Sequence, residues 1–294
     1  MCVPATSSRC ILSFIFAECR GLSLGSIYAL IALGYTMVYG VAKMLNFAHG
    51  DVIMVGAYAL FVTVQMTGNL WVSIVVAIII CTLLGVMIEK IAYKPLRSAS
   101  PLAVLITAIG VSYLLQSLSQ IIFGATPIQF TLVDLGSIPI GNTQINKSTL
   151  LTLLVATVIM ALLTFFINKT KTGRAMLAVS EDKGAAQLMG INVNMIISIT
   201  FAIGSCLATF ASIFYIMQIP TLEPTLGSMP GIKAFTASVI GGIGSIPGAM
   251  LGGILLGLIE KICLSIPAVA QFTTAIEFSV LILILLVKPT GFLG

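Results

Sequence analysis

The chain alternates long apolar runs with short polar breaks. Residues 52–88, 98–133, 148–168 and 234–259 contain no charged side chain. A helix crosses a bilayer in about 20 apolar residues. In lipid a helix also satisfies its own backbone groups, whereas a barrel needs segments of about ten residues of alternating polarity. This chain lacks that alternation. The pattern predicts an all-α fold, a polytopic membrane helical bundle of about eight transmembrane helices. The expected spans are 21–41, 52–66, 71–88, 101–123, 148–167, 195–217, 249–264 and 272–287.

Two features interrupt the series. The stretch "GIKAFTASVIGG", 231–242, is too short to cross a bilayer and fits a re-entrant or broken helix. The breaks "NFAHGDVIMVGAY" and "GGIGSIPGAMLGG" both place glycines and a polar turn ahead of a helix. Such paired breaks accompany internal repeats in transporters. The membrane body, 21–294, is read as one domain behind a lead-in, 1–20. In that lead-in an apolar run, 11–17, meets Glu18 and Arg20. The run is too short to span and no small-residue cleavage site follows, so it predicts an interfacial lead-in and not a signal peptide.

Composition sharpens the picture. Only 8% of residues are charged and 59% are hydrophobic, against roughly 25% charged in ordinary domains. The net charge of +5 sits at helix flanks and suggests no nucleic-acid partner. Lys90, Lys94 and Arg97 mark one short loop, and Lys169, Lys171, Arg174 and Lys183 mark another. Two spans separate them, so both fall on one side, the cytoplasmic side by the positive-inside rule, and Lys43 joins them. Six scattered cysteines form no metal-ligand spacing. Cys81, Cys206 and Cys263 read as small apolar fillers. The single His49 has no ligand partners for a metal.

Charge concentrates in "TKTGRAMLAVSEDKGAAQLMGIN", about 170–192. Glu181, Asp182 and Lys183 are too costly for lipid. As soluble structure, 173–179 makes a short helix. Ser180 can cap a second, with Glu181 and Asp182 in its first turn, and Gly190 ends it. The product is an elbow with a small, partly apolar face suited to a groove on another protein.

The order of residues adds a resemblance. "GAAQLMG", 184–190, is similar to the Glu-Ala-Ala-x-x-x-Gly coupling motif of ATP-binding-cassette importer permeases, with Gly184 in place of the leading Glu. With "GSIYALIALGYTMVYGVAKMLNFAHGD", "YKPLRSAS", "GIKAFTASVIGGIGSIPGAMLGG" and "LLVKPTGFLG", the chain resembles the permeases of branched-chain amino-acid importers of the LivH type. The likeness runs in order from about residue 22 onward.

The resemblance implies a permease subunit without an ATPase site, moved by alternating access in a bacterial cytoplasmic (inner) membrane. It implies no cofactor of its own, ATP being bound by two partner ATPase subunits. It further implies a second homologous permease, surrounding membrane lipid, and a periplasmic or extracellular substrate-binding protein. The absence of a G-x-x-x-x-G-K-[ST] phosphate loop agrees with a borrowed motor. On this reading Asp182, Gly184, Ala185, Ala186 and Gly190 form the surface coupled to the ATPase, and Arg174 braces the elbow. Asn46, His49, Gly50 and Asp51 are read either as a pathway or gate, or as a turn in which Asp51 caps the next helix. Lys233, expected beside Glu223, either attracts a substrate carboxylate with its helix start or snorkels to the interface. Glu260, Lys261 and Glu277 are expected as interfacial pairs or contacts to the second permease. Urea or short-chain amides are the alternative substrates within the same family. A hydrolase lacks support, because neither GxSxG nor HExxH occurs. A stand-alone channel or secondary transporter would carry ionisable residues along a pore, and here most charges sit at helix ends.

Overall fold

A computed structural model describes residues 7–97, 99–133, 136–140 and 143–293, with side chains described outside 7–20 and 137–145. Asp134 and Asn142 of the polar stretch, Ser98, and the first part of the lead-in, 1–6, lie outside the described residues. Eight helices among the described residues are long and apolar enough to span a membrane, as the hydropathy pattern predicts. The lead-in differs from expectation. Residues from Ser7 onward belong to the same helix as the first span, α1 (Ser7–Ala42).

The next helices are α2 (His49–Thr67), α3 (Leu70–Ile88) and α4 (Pro101–Phe123). Asn69 caps α3 by accepting from the backbone N–H groups of Trp71 and Val72. Ser100 caps α4 ahead of Pro101, whose missing N–H costs nothing in a first turn. Span three outruns its predicted end at Ile88. It continues through a π turn (Glu89–Tyr93) and a 3-10 turn (Lys94–Leu96). Glu89 does not stop the helix because its buried carboxylate finds partners: the Arg97 guanidinium and, at 2.7 Å, the Ser198 hydroxyl. Span two likewise starts earlier than the apolar run alone predicts, at His49: Asp51 accepts a hydrogen bond from Gln116 inside the bundle, and the buried His49 ring packs against Tyr35.

Two short ribbons lie at the end of the bundle opposite the elbow. Strand β1 (Ile128–Gln129) pairs antiparallel with β4 (Thr221–Leu222), and β2 (Ser137–Ile140) with β3 (Thr143–Asn146). Helices α5 (Lys147–Lys169), α6 (Lys171–Glu181), α7 (Lys183–Leu188) and α8 (Val193–Gln218) follow the second ribbon, and β4 comes after α8. The chain then re-enters as α9 (Ser228–Gly241), a helix too short to be a span, as predicted. It ends with α10 (Ile246–Ser265) and α11 (Thr273–Val287).

Helix α1 is the centre of the bundle. Its span, Gly21–Ala42, is 94% buried, whereas the windows of α4 and α11 are 17% and 11% buried. It packs against α5, α8, α9 and α10. Small residues permit the closest crossing. A Cβ on Gly257 would strike the backbone of Gly25, and one on Gly253 would strike that of Ala29. Close small-residue contact replaces the hydrophobic drive that lipid cannot supply. The outer faces of α3, α4, α5 and α11 carry exposed Leu, Ile and Phe, the surface expected against lipid or other apolar helices. Cys81 and Cys263 are buried free thiols, in line with their reading as fillers.

Candidate functional site

Three groups of polar residues stand apart from the apolar packing. The first is the elbow. Thr170 closes α5 and opens α6 at once: its hydroxyl donates to Phe166 O at 2.7 Å and accepts from Gly173 N–H at 3.0 Å. Gly173 lies against the backbone of Phe166 and Ile167, so only a glycine permits this tight corner. Arg174 reaches back to the Lys169 carbonyl at 3.3 Å. Asp182, and not Ser180, is the cap of α7. Its Oδ1 accepts from Gly184 N–H at 2.7 Å and Ala185 N–H at 3.0 Å. Ser180 instead donates to Leu177 O within α6, because α6 runs on to Glu181 and absorbs it. Gly190 ends the elbow in the left-handed conformation, φ +83°.

The elbow's exposed surface differs in part from the expected one. Asp182, Gly184, Ala185 and Gly190 are exposed, but Ala186 is only 4% exposed and faces inward. The side chains that project are Leu188 and Met189, 90% and 84% exposed. The sequence predicts a partly apolar docking face here, but the residues expected to form it do not include these two. A further link carried no local signal: Lys183 Nζ donates to the Ala42 carbonyl at 2.7 Å, joining the elbow to the end of α1.

The second group surrounds the break before α2. Asn46 accepts from the Tyr93 hydroxyl at 2.8 Å, which pins the break to the π turn after α3. His49 is buried with its ring edge-on to Tyr35, centroids 4.9 Å apart, and it fills the space a side chain at Gly34 would need. Gly50 meets the backbone of Gly227 and Gly231 where α9 begins. Asp51 does not cap α2; Ala48 holds the cap position without a side-chain bond. The Asp51 carboxylate instead accepts from Gln116 Nε2 at 2.9 Å, and that amide lies 3.2 Å from Ser112 Oγ and 3.1 Å from Ser228 Oγ. These residues wall a cavity of about 230 Å³ with Phe47, Ile109, Ile232 and Tyr113. It is half apolar and half hydrogen-bonding. Sequence reading missed Ser112 and Gln116, although polar residues one helical turn apart in an apolar span are the available signal.

The third group is centred on Lys233. Its Nζ sits 2.9 Å from Glu260 Oε2 and 3.3 Å from Glu277, and the Tyr28 hydroxyl donates to Glu260 at 2.8 Å. Lys233 therefore pairs with two carboxylates of α10 and α11, not with Glu223, and does not snorkel. Glu260 and Glu277 are correspondingly internal, at 13% and 1% side-chain exposure, and not interfacial as expected. Lys233 does not line the Asp51 cavity. The structure separates two groups that sequence reading had placed on one path. Among the described residues no cluster of His, Cys, Asp and Glu could hold a metal ion.

Residues 19–287 match the family described as branched-chain amino acid transport system, permease component. The chain is 41% identical over 289 residues to the high-affinity branched-chain amino acid transport system permease protein BraD of Pseudomonas aeruginosa, covering 94% of each. It is 40% identical over 297 residues to the corresponding permease LivH of Escherichia coli, covering 96% of each. A probable LivH of Methanocaldococcus jannaschii is 29% identical over 92% of this chain. With a spanning bundle, an extramembrane elbow and a match over nearly its whole length, this chain belongs to the branched-chain amino acid transport permease family.

Proposed function

We propose that this protein is one membrane subunit of an ATP-driven importer of leucine, isoleucine and valine in a bacterial cytoplasmic membrane. Two separate ATPase subunits bind the nucleotide and grip the elbow from the cytoplasm. A second, homologous permease completes the path, and a periplasmic or extracellular binding protein delivers the amino acid. The observation that carries this reading is the elbow's construction. It projects two apolar side chains, Leu188 and Met189, away from the bundle, and Lys183 ties its other face to the central helix α1. A push on the elbow thus reaches the helix around which the bundle packs.

The path on this reading runs past Asn46, His49, Gly50 and Asp51. Asp51, Gln116 and Ser228 offer hydrogen-bonding groups to a zwitterion, while Ile109, Ile232 and Phe47 offer apolar contact to a branched side chain. Lys233 frames this path from behind, locked to its carboxylates. The test is reconstitution of the complete complex in liposomes with its binding protein. Leucine, isoleucine or valine should stimulate ATP hydrolysis and accumulate inside, and urea should do neither. Leucine flux through the isolated chain without ATPase subunits would defeat the proposal.

A further inference from the structure

Where the elbow meets the membrane bundle, a cavity of about 500 Å³ opens between the end of α1, the start of α4 and the first residue of α7. Lys43, Arg97 and Lys183 line it, and no acidic side chain does so among the described residues. The two lysines are poorly compensated among the described residues. Arg97 is the better partnered, paired with the buried Glu89 and donating to the Asn194 side-chain carbonyl. Lys183 has only the neutral carbonyl of Ala42. Burial, with the neighbouring charges of Arg97 and Lys43, holds the Lys183 ammonium below the usual lysine range. Lys43 adds a separate indication. It occupies the left-handed region, φ +58°, just after α1, and is the one non-glycine residue with positive φ among those described. Glycine or asparagine suits that backbone position better, so the lysine side chain is kept there against a conformational cost.

We propose that this cavity binds a phosphate-bearing anion, seated among Lys43, Arg97 and Lys183 at the joint between elbow and bundle. A single anion would replace mutual repulsion with attraction and fasten the elbow to the segment following α1. The surroundings suit an anionic phospholipid headgroup: Pro101, Leu102 and Leu105 form the apolar side, and Leu102 is 63% exposed at the start of a span. Free phosphate offers the same charge without the acyl chains. Each basic residue near an anionic surface strengthens attraction about fivefold.

The test uses the purified complete transporter in neutral detergent. Its thermal midpoint is followed while dihexanoyl-phosphatidylglycerol, dihexanoyl-phosphatidylcholine or inorganic phosphate is titrated. The wild type is compared with a Lys43→Gln/Lys183→Gln double variant. Phosphatidylglycerol should raise the midpoint saturably, phosphatidylcholine should not, and the double variant should need about tenfold more ligand or stronger. A shift with phosphatidylglycerol alone identifies the lipid as the source. A shift with inorganic phosphate as well identifies the phosphate group as sufficient. No shift with either anion, as when an acidic side chain of a partner subunit fills the cavity, overturns the proposal, as does an equal shift in the double variant. Should that variant fail to assemble, Lys43→Gln alone, exposed and outside the elbow, carries the same comparison. The readout is independent of amino-acid uptake. Absence of any anion shift in the wild type, with import intact, would therefore sink this site and spare the importer, and an anion shift without import would do the opposite.

Discussion

Lys233 Nζ lies 2.9 Å from Glu260 Oε2, inside the bundle, on the same helix α9 that lends Ser228 and Ile232 to the cavity at Asp51 but outside that cavity's lining. Glu277 shares the same ammonium at 3.3 Å, so two carboxylates depend on one cation. Removing one member of a buried pair strands its partner and costs about 3–5 kcal/mol. Lys233→Met should therefore lower the thermal midpoint of the detergent-solubilised chain severely. Glu277→Gln, which leaves one carboxylate for one ammonium, should cost well under half as much. Equal losses from the two substitutions would contradict the arrangement.

The crossing of α1 and α10 depends on missing side chains. Gly257→Val would drive a branched carbon into the backbone of Gly25. Backbone cannot yield as a flexible side chain does, so overpacking of about 3 kcal/mol or more is expected and the yield of folded protein should collapse. Gly110, within α4, has no atom within 4 Å of an added Cβ. Gly110→Ala should stabilise the isolated chain by about 0.4–1 kcal/mol through reduced freedom of the unfolded chain. Thermal unfolding of the two variants side by side checks the pair.

The projecting face of the elbow gives a docking test. Leu188→Asp and Met189→Asp place charge on residues that are 90% and 84% exposed, so folding of the chain itself should be nearly unchanged, within about 0.5 kcal/mol. Co-purification with the ATPase subunits should fall sharply, by tenfold or more at about 1.4 kcal/mol. Retained co-purification with normal uptake would place the motor elsewhere.

Gly190 tests the shape of the elbow separately from its surface. A β-branched residue at φ +83° is strained by about 1–3 kcal/mol. Gly190→Val should leave the spans inserted but shift the hinge after α7, reducing ATP-driven uptake more than basal ATP hydrolysis. Quantifying both in the same proteoliposomes separates the two effects.

At the cavity, Asp51→Asn keeps the size of the side chain that accepts from Gln116 but removes its charge. A hydrogen bond to a charged group contributes about 1.5–3 kcal/mol, so leucine uptake should drop about tenfold or more with protein abundance maintained. Gln116→Leu removes the shared amide that touches Asp51, Ser112 and Ser228 and should mimic that loss. Normal transport by both variants would move the path away from this cavity.

Much of this architecture was legible in linear order. The eight spans, the short re-entrant helix and the glycine end of the elbow follow from run length, charge and backbone preference. Caps were legible only in part. Ser180 looked like a cap because it precedes two acids, yet Asp182 holds that position once α6 extends to Glu181. A helix boundary shifts by a few residues according to what its last turn packs against, and a cap shifts with it.

By itself the sequence determined that this is a multi-pass helical membrane protein with one charged elbow, because hydropathy and helix propensity act over neighbouring residues. Only the tertiary structure decided that Lys233 belongs with Glu260 and Glu277, that Asp51 answers Gln116, and that Lys183 meets the end of α1. Those partners lie on different helices, and which faces meet is set by the close glycine crossings of the whole bundle. A buried charge must find an opposite group in space, and local sequence carries no record of where that group is.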